Sequence, residues 1–175
     1  MNEFTPRRQQ DAARQGRLFL VFRVGGERFA LDTRDVVEVL PYLPLKPIAC
    51  TPAWVAGVLA HRGALVPVVD VSALSFGTPA PRRTSTRLVL VHYRADPLRP
   101  DLLLGLILEQ ASDTLRCDPA EFRPYGLDNR DAPYLGPVRE DAQGLLQWIG
   151  VQDLLDDQVR SLLFPDDGSA LEVLA

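Results

Sequence analysis

The feature that most constrains the fold is an internal echo. "RLFLVFR" at Arg17–Arg23 returns as "RLVLVHYR" at Arg87–Arg94, and "GALVPVVDVSAL" at Gly63–Leu74 returns as "GLLQWIGVQDLL" at Gly144–Leu155. Two echoes in the same order point to duplication of one small unit. Each unit is built from short strand-like runs. "RLFLVFRV" and "ERFALD" flank Gly25–Gly26, a pair that supplies positive φ, so these runs form a hairpin. "WVAGVLAHRG" with "ALVPVVDV", "TRLVLVHY" with "LLLGLILEQ", and "YLGPV" with "GLLQWIGV" read as three more pairs. Short strands punctuated by Gly and Pro suggest small β-barrels, not a βαβ fold. "FGTPAPRRTS" then reads as the linker between the two units, near residues 77–85.

The ends of the chain differ from its body. Residues 1–16 form a polar arm, expected to be disordered and lacking the apolar stretch of a secretory signal. Near the other end Val151, Leu154, Leu155, Val159, Leu162 and Leu163 recur at helical spacing between polar residues. They predict one amphipathic helix stopped by Pro165, with a flexible tail over residues 165–175. No run approaches the roughly 18 apolar residues of a membrane span, so a cytoplasmic protein without direct membrane contact is expected.

Charge and chemistry narrow the function further. The net charge of −4 and the pI of 5.2 disfavour a polyanion partner, and a nucleic-acid-binding barrel is the weaker alternative. Cys50 and Cys117 read as small apolar fillers in a reducing cytosol, and neither His61 nor His92 stands in metal-ligand spacing. No metal or cofactor is expected. A small enzyme would have to use His61, Arg62 and Asp70, which lie close in sequence, yet no nucleophile motif and no phosphate-binding glycine loop accompanies them. The strand "DVVEVL" carries more information. Its alternation sends Val37 and Val39 one way and Val36, Glu38 and Leu40 the other. Both faces are apolar, so the second must be covered by the other barrel or by a partner protein. Glu38 among apolar neighbours calls for a cation, and the guanidinium of Arg62 suits it. Pro67 lacks an N–H and places "ALVPVVDV" at a sheet edge or bulge.

From Arg17 to about Leu163 these pieces resemble CheW, the coupling adaptor of bacterial chemosensory arrays. The matching stretches are "FLVFRVGGERFALD", "VVEVL", "TPAWVAGVLAHRGALVPVVDV", "TRLVLV", "LLGLILEQASDTL" and "YLGPV…GLLQWIGVQDLL". The central one carries the family pattern at Pro52, Trp54, Gly57, Arg62, Gly63, Pro67 and Asp70. The resemblance implies a mainly β protein: two SH3-like five-stranded β-barrel subdomains over residues 17–164, with a C-terminal helix and no catalysis. It implies two partners, the hairpin tip of a methyl-accepting chemoreceptor and the regulatory domain of a CheA-type histidine kinase, with room for self-association in array rings. The family's glutamate–arginine pair falls on Glu38 and Arg62. Receptor-facing positions fall on Val36, Gly57, Arg87 and Thr114, and His61 joins them beside Arg62. The family's Asn-Leu before Arg-Gly is here Ala60-His61, and the loop "RADPLRPD" is longer. Both departures suggest a specialised array, similar to Wsp-like surface-sensing systems with a cyclic-di-GMP output.

Overall fold

The computed structural model describes residues 16–166, so the expectations for the N-terminal arm and for the tail beyond Asp166 lie outside the described residues. Strands β1 (Arg17–Val24) and β2 (Glu27–Asp32) form the first hairpin, its turn made by Gly25 and Gly26 at φ 58° and 85°. Asp32 then stops the strand. Its buried carboxylate accepts the Arg34 N–H at 2.9 Å and opens a 3₁₀ turn over Thr33–Asp35, while Arg17 pairs with it at 3.2 Å.

The chain next builds β3 (Val36–Pro41), β4 (Val55–His61), β5 (Ala64–Asp70), the helix α1 (Val71–Phe76), β6 (Arg87–His92) and the long β7 (Leu103–Cys117). It closes with β8 (Leu135–Asp141), β9 (Gly144–Ile149), a 3₁₀ turn and the helix α2 (Asp157–Leu163). Ladder partners sort these strands into two sets of five. One runs β3–β6–β7–β5–β4 using the first half of β7; the other runs β7–β1–β2–β9–β8 using its second half. Each set contains one parallel pair, β5 with β7 and β2 with β9. Short bridges, Lys46 to Val58 and Arg123 to Val138, bring the preceding loops against β4 and β8. These are the two SH3-like barrels.

Their order along the chain differs from the expected one. The segment 77–85 joins α1 to β6, and both β5 and β6 belong to the same barrel. That barrel occupies residues 36–108 without interruption and is nested between β2 and the second half of β7. The linker therefore separates the two echoing sequences but not the two barrels. The echo itself stands: β6 and β7 correspond to β1 and β2, while β3, β4 and β5 correspond to the second half of β7, β8 and β9. The inner barrel is thus a cyclic permutation of the outer one. The physical reason is that β7, about 50 Å long if fully extended, is long enough to serve both barrels. It changes partner where Gln110 takes φ 46° and the register against β1 slips.

Three apolar cores result. Phe19, Phe122 and Leu146 fill the outer barrel, with Trp148 set edge-on to Phe19 at 4.9 Å. Leu59, Val66, Val68, Leu88, Leu90 and Ile107 fill the inner barrel. The largest core lies between the barrels and takes Phe22, Leu31, Val89, Leu104 and Leu106. Strand β6 accordingly reads as a continuous apolar run, Leu88 and Leu90 facing its own barrel, Val89 and Val91 facing the other.

Two smaller expectations are corrected. The C-terminal helix is not continuous: Val151–Asp153 is a 3₁₀ turn, and α2 starts afresh because Asp156 caps it, accepting the Val159 N–H at 2.8 Å. Val151, Leu154, Leu155 and Val159 are buried, but Leu162 is about half exposed. Cys117 is a core filler, whereas Cys50 is exposed at φ 60°.

A buried-edge ion pair ties the outer barrel together. Arg28 on β2 grips Asp141 at the end of β8 with two bonds of 2.8 and 3.1 Å, and Arg139 adds a third at 3.1 Å. The Arg28 hydrogen bond holds the Asp141 carboxyl below the usual carboxylate range, against the opposing effect of burial. A depressed folded pKa contributes stability that is complete above the unfolded value near 3.8 and is lost as pH falls through the folded one. Asp141→Asn is therefore expected to cost roughly 1–2 kcal/mol at pH 7. It should also flatten the loss of stability below about pH 4. Urea melts at pH 7 and pH 3.5 check both; an equal pH slope in the two proteins rules the account out.

Candidate partner-coupling site

The β4–β5 hairpin turns on two residues only, Arg62 and Gly63, at φ 49° and 79°. Such a turn follows the twist of the flanking strands but needs positive φ at both positions. Gly63 meets that need without strain. Arginine does not, since its Cβ crowds the backbone in the left-handed region. A strained residue kept at an exposed tip points to its side chain as the reason for its presence.

That side chain faces β3. The Glu38 carboxylate lies between Val36 and Leu40, opposite Leu90 on β6. One of its oxygens receives two contacts, His61 Nε2 at 3.1 Å and Arg62 Nη2 at 3.4 Å. The three groups grade outward: the His61 side chain is 15% exposed, Glu38 30% and Arg62 77%. Glu38 therefore does pair with Arg62, but the nearer contact comes from His61, a partner that the sequence reading did not assign. Strand alternation carried the signal, because His61 ends β4 opposite Ala64 and points towards β3 while Arg62 swings out with the turn.

The outer face of β3 excludes one of the two covers considered above. Val37 and Val39 are 40% and 46% exposed, so the other barrel does not cover them. Val36 packs against the core between the barrels. Gly57 is buried, not superficial: at φ 146° it lets Lys46 and Val58 exchange backbone hydrogen bonds of 3.1 and 2.8 Å. A Cβ there would sit 2.5 Å from the Lys46 carbonyl oxygen. Arg87 stands at the far end of the β3–β6 ladder, opposite Pro41, and donates to the Thr84 carbonyl.

Thr114 lies apart from this cluster, exposed on the outer barrel opposite Leu20. Because Arg17–Arg23 echoes Arg87–Arg94, Leu20 corresponds to Leu90, and Thr114 holds in one barrel the place Glu38 holds in the other. The matching hairpin tip there carries Asp141, locked by Arg28, where the inner barrel carries His61.

His61, Arg62 and Asp70 do not converge. Asp70 lies at the opposite end of β5 from the turn, about 20 Å along the strand. Its two oxygens accept the Ala73 N–H at 3.1 Å, capping α1, and the Ala80 N–H at 2.9 Å, which pins the segment after it. Among the described residues no group of three or more His, Cys, Asp or Glu is placed to hold a metal ion, and no helix is long and apolar enough to cross a membrane.

Known proteins agree with this architecture. Residues 18–159 match the family model described as CheW-like domain. A "Chemotaxis protein CheW" of Rhizobium meliloti (strain 1021) is 31% identical over 109 residues, 62% of this chain and 66% of that protein. One from Klebsiella aerogenes is 26% identical over 109 residues, 62% of each chain. The matched stretch thus spans just under two thirds of these curated relatives. The crystal structure of the scaffolding protein TtCheW from Thermoanaerobacter tengcongensis superposes with a TM-score of 0.71 at 18% identity, covering 89% of this chain and 93% of that one. With the family pattern extending through both barrels and the solved scaffold sharing the fold, the chain belongs to the CheW-like domain family.

Proposed function

We propose that this protein is a non-catalytic adaptor that couples a methyl-accepting chemoreceptor to a CheA-type histidine kinase within a cytoplasmic chemosensory array. The observation that carries the reading is the Glu38–His61–Arg62 cluster on one face of β3, with Val37 and Val39 uncovered on the other. An exposed cation suits a partner segment that presents carboxylates, and exposed apolar strand residues suit one that presents small apolar side chains. The names of the relatives, chemotaxis and scaffolding proteins, support the same role. In this reading Val36 and Arg87, at opposite ends of the β3–β6 ladder, belong to the receptor-facing surface, as do Gly57, which seats the Lys46 segment against β4, and Thr114 on the outer barrel. The kinase regulatory domain and further copies in an array ring are the partners left for the remaining faces. Ala60-His61 and the long 94–101 loop favour an array specialised for surface sensing with a cyclic-di-GMP output.

Reconstitution tests the role. Added to vesicles bearing receptor tips and to the kinase, the protein should bring both into one sedimenting complex and place kinase activity under receptor control. Val39→Lys should weaken receptor capture about tenfold, since it puts a charge into an apolar contact. It should leave the thermal midpoint unchanged, because Val39 is nearly half exposed. Sedimentation of the kinase at the same level with and without the protein would refute the adaptor role.

A further inference from the structure

The two barrels hold the acids near their hairpin tips in different ways. In the outer barrel Asp141 is gripped by Arg28 at 2.8 and 3.1 Å, and an arginine stays charged at every pH a protein meets. In the inner barrel the nearest cation-forming group to the Glu38 carboxylate is an imidazole, His61 Nε2 at 3.1 Å. Arg62 Nη2 reaches the same oxygen at 3.4 Å. Histidine is the side chain whose charge changes between pH 5 and 8. Glu38, His61 and Arg62 together therefore carry no net charge when the imidazole is neutral and one positive charge when it is protonated.

Burial decides which cation Glu38 keeps. The His61 side chain is largely buried and that of Arg62 largely exposed, so water and salt screen the arginine contact far more than the histidine one. With a neutral imidazole, Arg62 is the one cation in contact with Glu38 among the described residues, and Glu38 repels any acid that approaches the guanidinium. With an imidazolium, the nearer and drier contact offsets Glu38, and Arg62 meets a partner carboxylate unopposed. The charged groups that face the imidazole are Glu38 on β3 and Arg62 beside it in the turn. Ala64 stands opposite it on β5, and the core on its side of β4, with Leu59, Leu88 and Leu90, is apolar. In the segment beside β4, Tyr42 is engaged by Arg82 at 4.8 Å, and the exposed Lys46 bonds Val58 through its backbone.

We infer that His61 is a positioning residue of the coupling site: on gaining a proton it takes over Glu38 and releases Arg62 to an acidic segment of the receptor, so that capture tightens as pH falls. The partner rests on the adaptor reading; the exchange within the tip does not.

Two measurements test this. Pull-down on receptor tips from pH 8 to pH 5.5 reads the coupling, and side-chain NMR shifts of the full-length protein alone read the tip. Capture by the parent should rise about tenfold over that range. His61→Gln takes up no proton, so its capture should stay at the parent's pH 8 level throughout, although His92 still titrates. His61→Lys keeps a cation, so its capture should stay near the parent's pH 5.5 level. Without receptor, the Glu38 carboxyl carbon and Arg62 Nε should shift with the midpoint of the His61 imidazole, and His61→Gln should abolish that step. Parent capture that is flat with pH, or a slope that survives in His61→Gln, overturns the inference. So do Glu38 and Arg62 shifts that ignore the His61 midpoint. Absence of capture at every pH, with the shared midpoint present, counts against the adaptor reading and supports the exchange within the tip.

Discussion

Gly57→Ala is expected to destabilise the protein by about 3 kcal/mol or more, although the added methyl group is the smallest possible change. The new Cβ would stand 2.5 Å from the Lys46 carbonyl oxygen and 3.0 Å from its carbon. Both are backbone atoms, held in place by the reciprocal bonds between Lys46 and Val58. A side chain in the way could rotate, but a carbonyl in a ladder cannot move without losing those bonds. The φ of 146° adds a second cost, since residues with a Cβ rarely adopt it. For a domain whose total stability is of order 5–15 kcal/mol, this is a large share. Urea denaturation reads the change as a lower midpoint at constant slope. A midpoint equal to that of the parent would show that the loop yields freely. The experiment also separates two meanings of this position. Loss of receptor capture in a Gly57 variant follows from a distorted inner barrel, and far-ultraviolet dichroism with the urea melt would expose that cause.

Arg62→Asp should behave in the opposite way, with a large effect on binding and almost none on stability. Arg62 is 77% exposed and its contact to Glu38 is 3.4 Å, so the pair contributes at most about 1 kcal/mol. Aspartate also tolerates the left-handed backbone of the turn better than arginine does. The fold should therefore persist. The tip, however, changes sign beside Glu38, and a partner carboxylate drawn to the guanidinium would now be repelled. Like charges brought together at an interface cost several kcal/mol, which corresponds to a loss of receptor capture of about a hundredfold. Pull-down with receptor fragments, alongside a thermal melt, checks both halves. Retained capture by a folded Arg62→Asp protein would remove Arg62 from the site. His61→Leu provides the comparison. It takes away the nearer contact to Glu38 and leaves the exposed cation in place, so capture should fall less than in Arg62→Asp.

The sequence was most legible where neighbours in the chain are neighbours in space. The hairpins at Gly25–Gly26 and Arg62–Gly63, the pairing of β6 with β7, and the passage from Asp70 into α1 all rest on local turns and caps. Alternation also assigned Val36, Glu38 and Leu40 to one side of β3 and Val37 and Val39 to the other. It could not say which strand β3 joins, because alternation defines faces and not ladder partners. Hence the nesting of the inner barrel is not legible, and the Pro-rich 77–85 segment reads as the boundary. The length of β7 was hidden for a related reason. "LLLGLILEQ" is apolar because both its faces are covered, whereas Asp113 to Arg116, polar but for Leu115, carries no such signal, although β1 pairs with it. The break before α2 escaped because Asp156 serves equally well as a polar-face residue or as a cap, and only the backbone decides. Alternation puts His61 on the same side of β4 as the core residue Leu59, but only closure of the inner barrel brings its imidazole to Glu38.

The nesting also fixes an order of assembly during synthesis. Chains emerge from the ribosome N-terminus first, and strands that need distant partners must wait for them. The β1–β2 hairpin is made first, yet its flanking strands arrive only with residues 109–117 and 144–149. By then the whole of residues 36–108 has emerged and can close on itself. The barrel that is begun first is finished last, and its open edges are the stretch that a nascent chain has most need to shield.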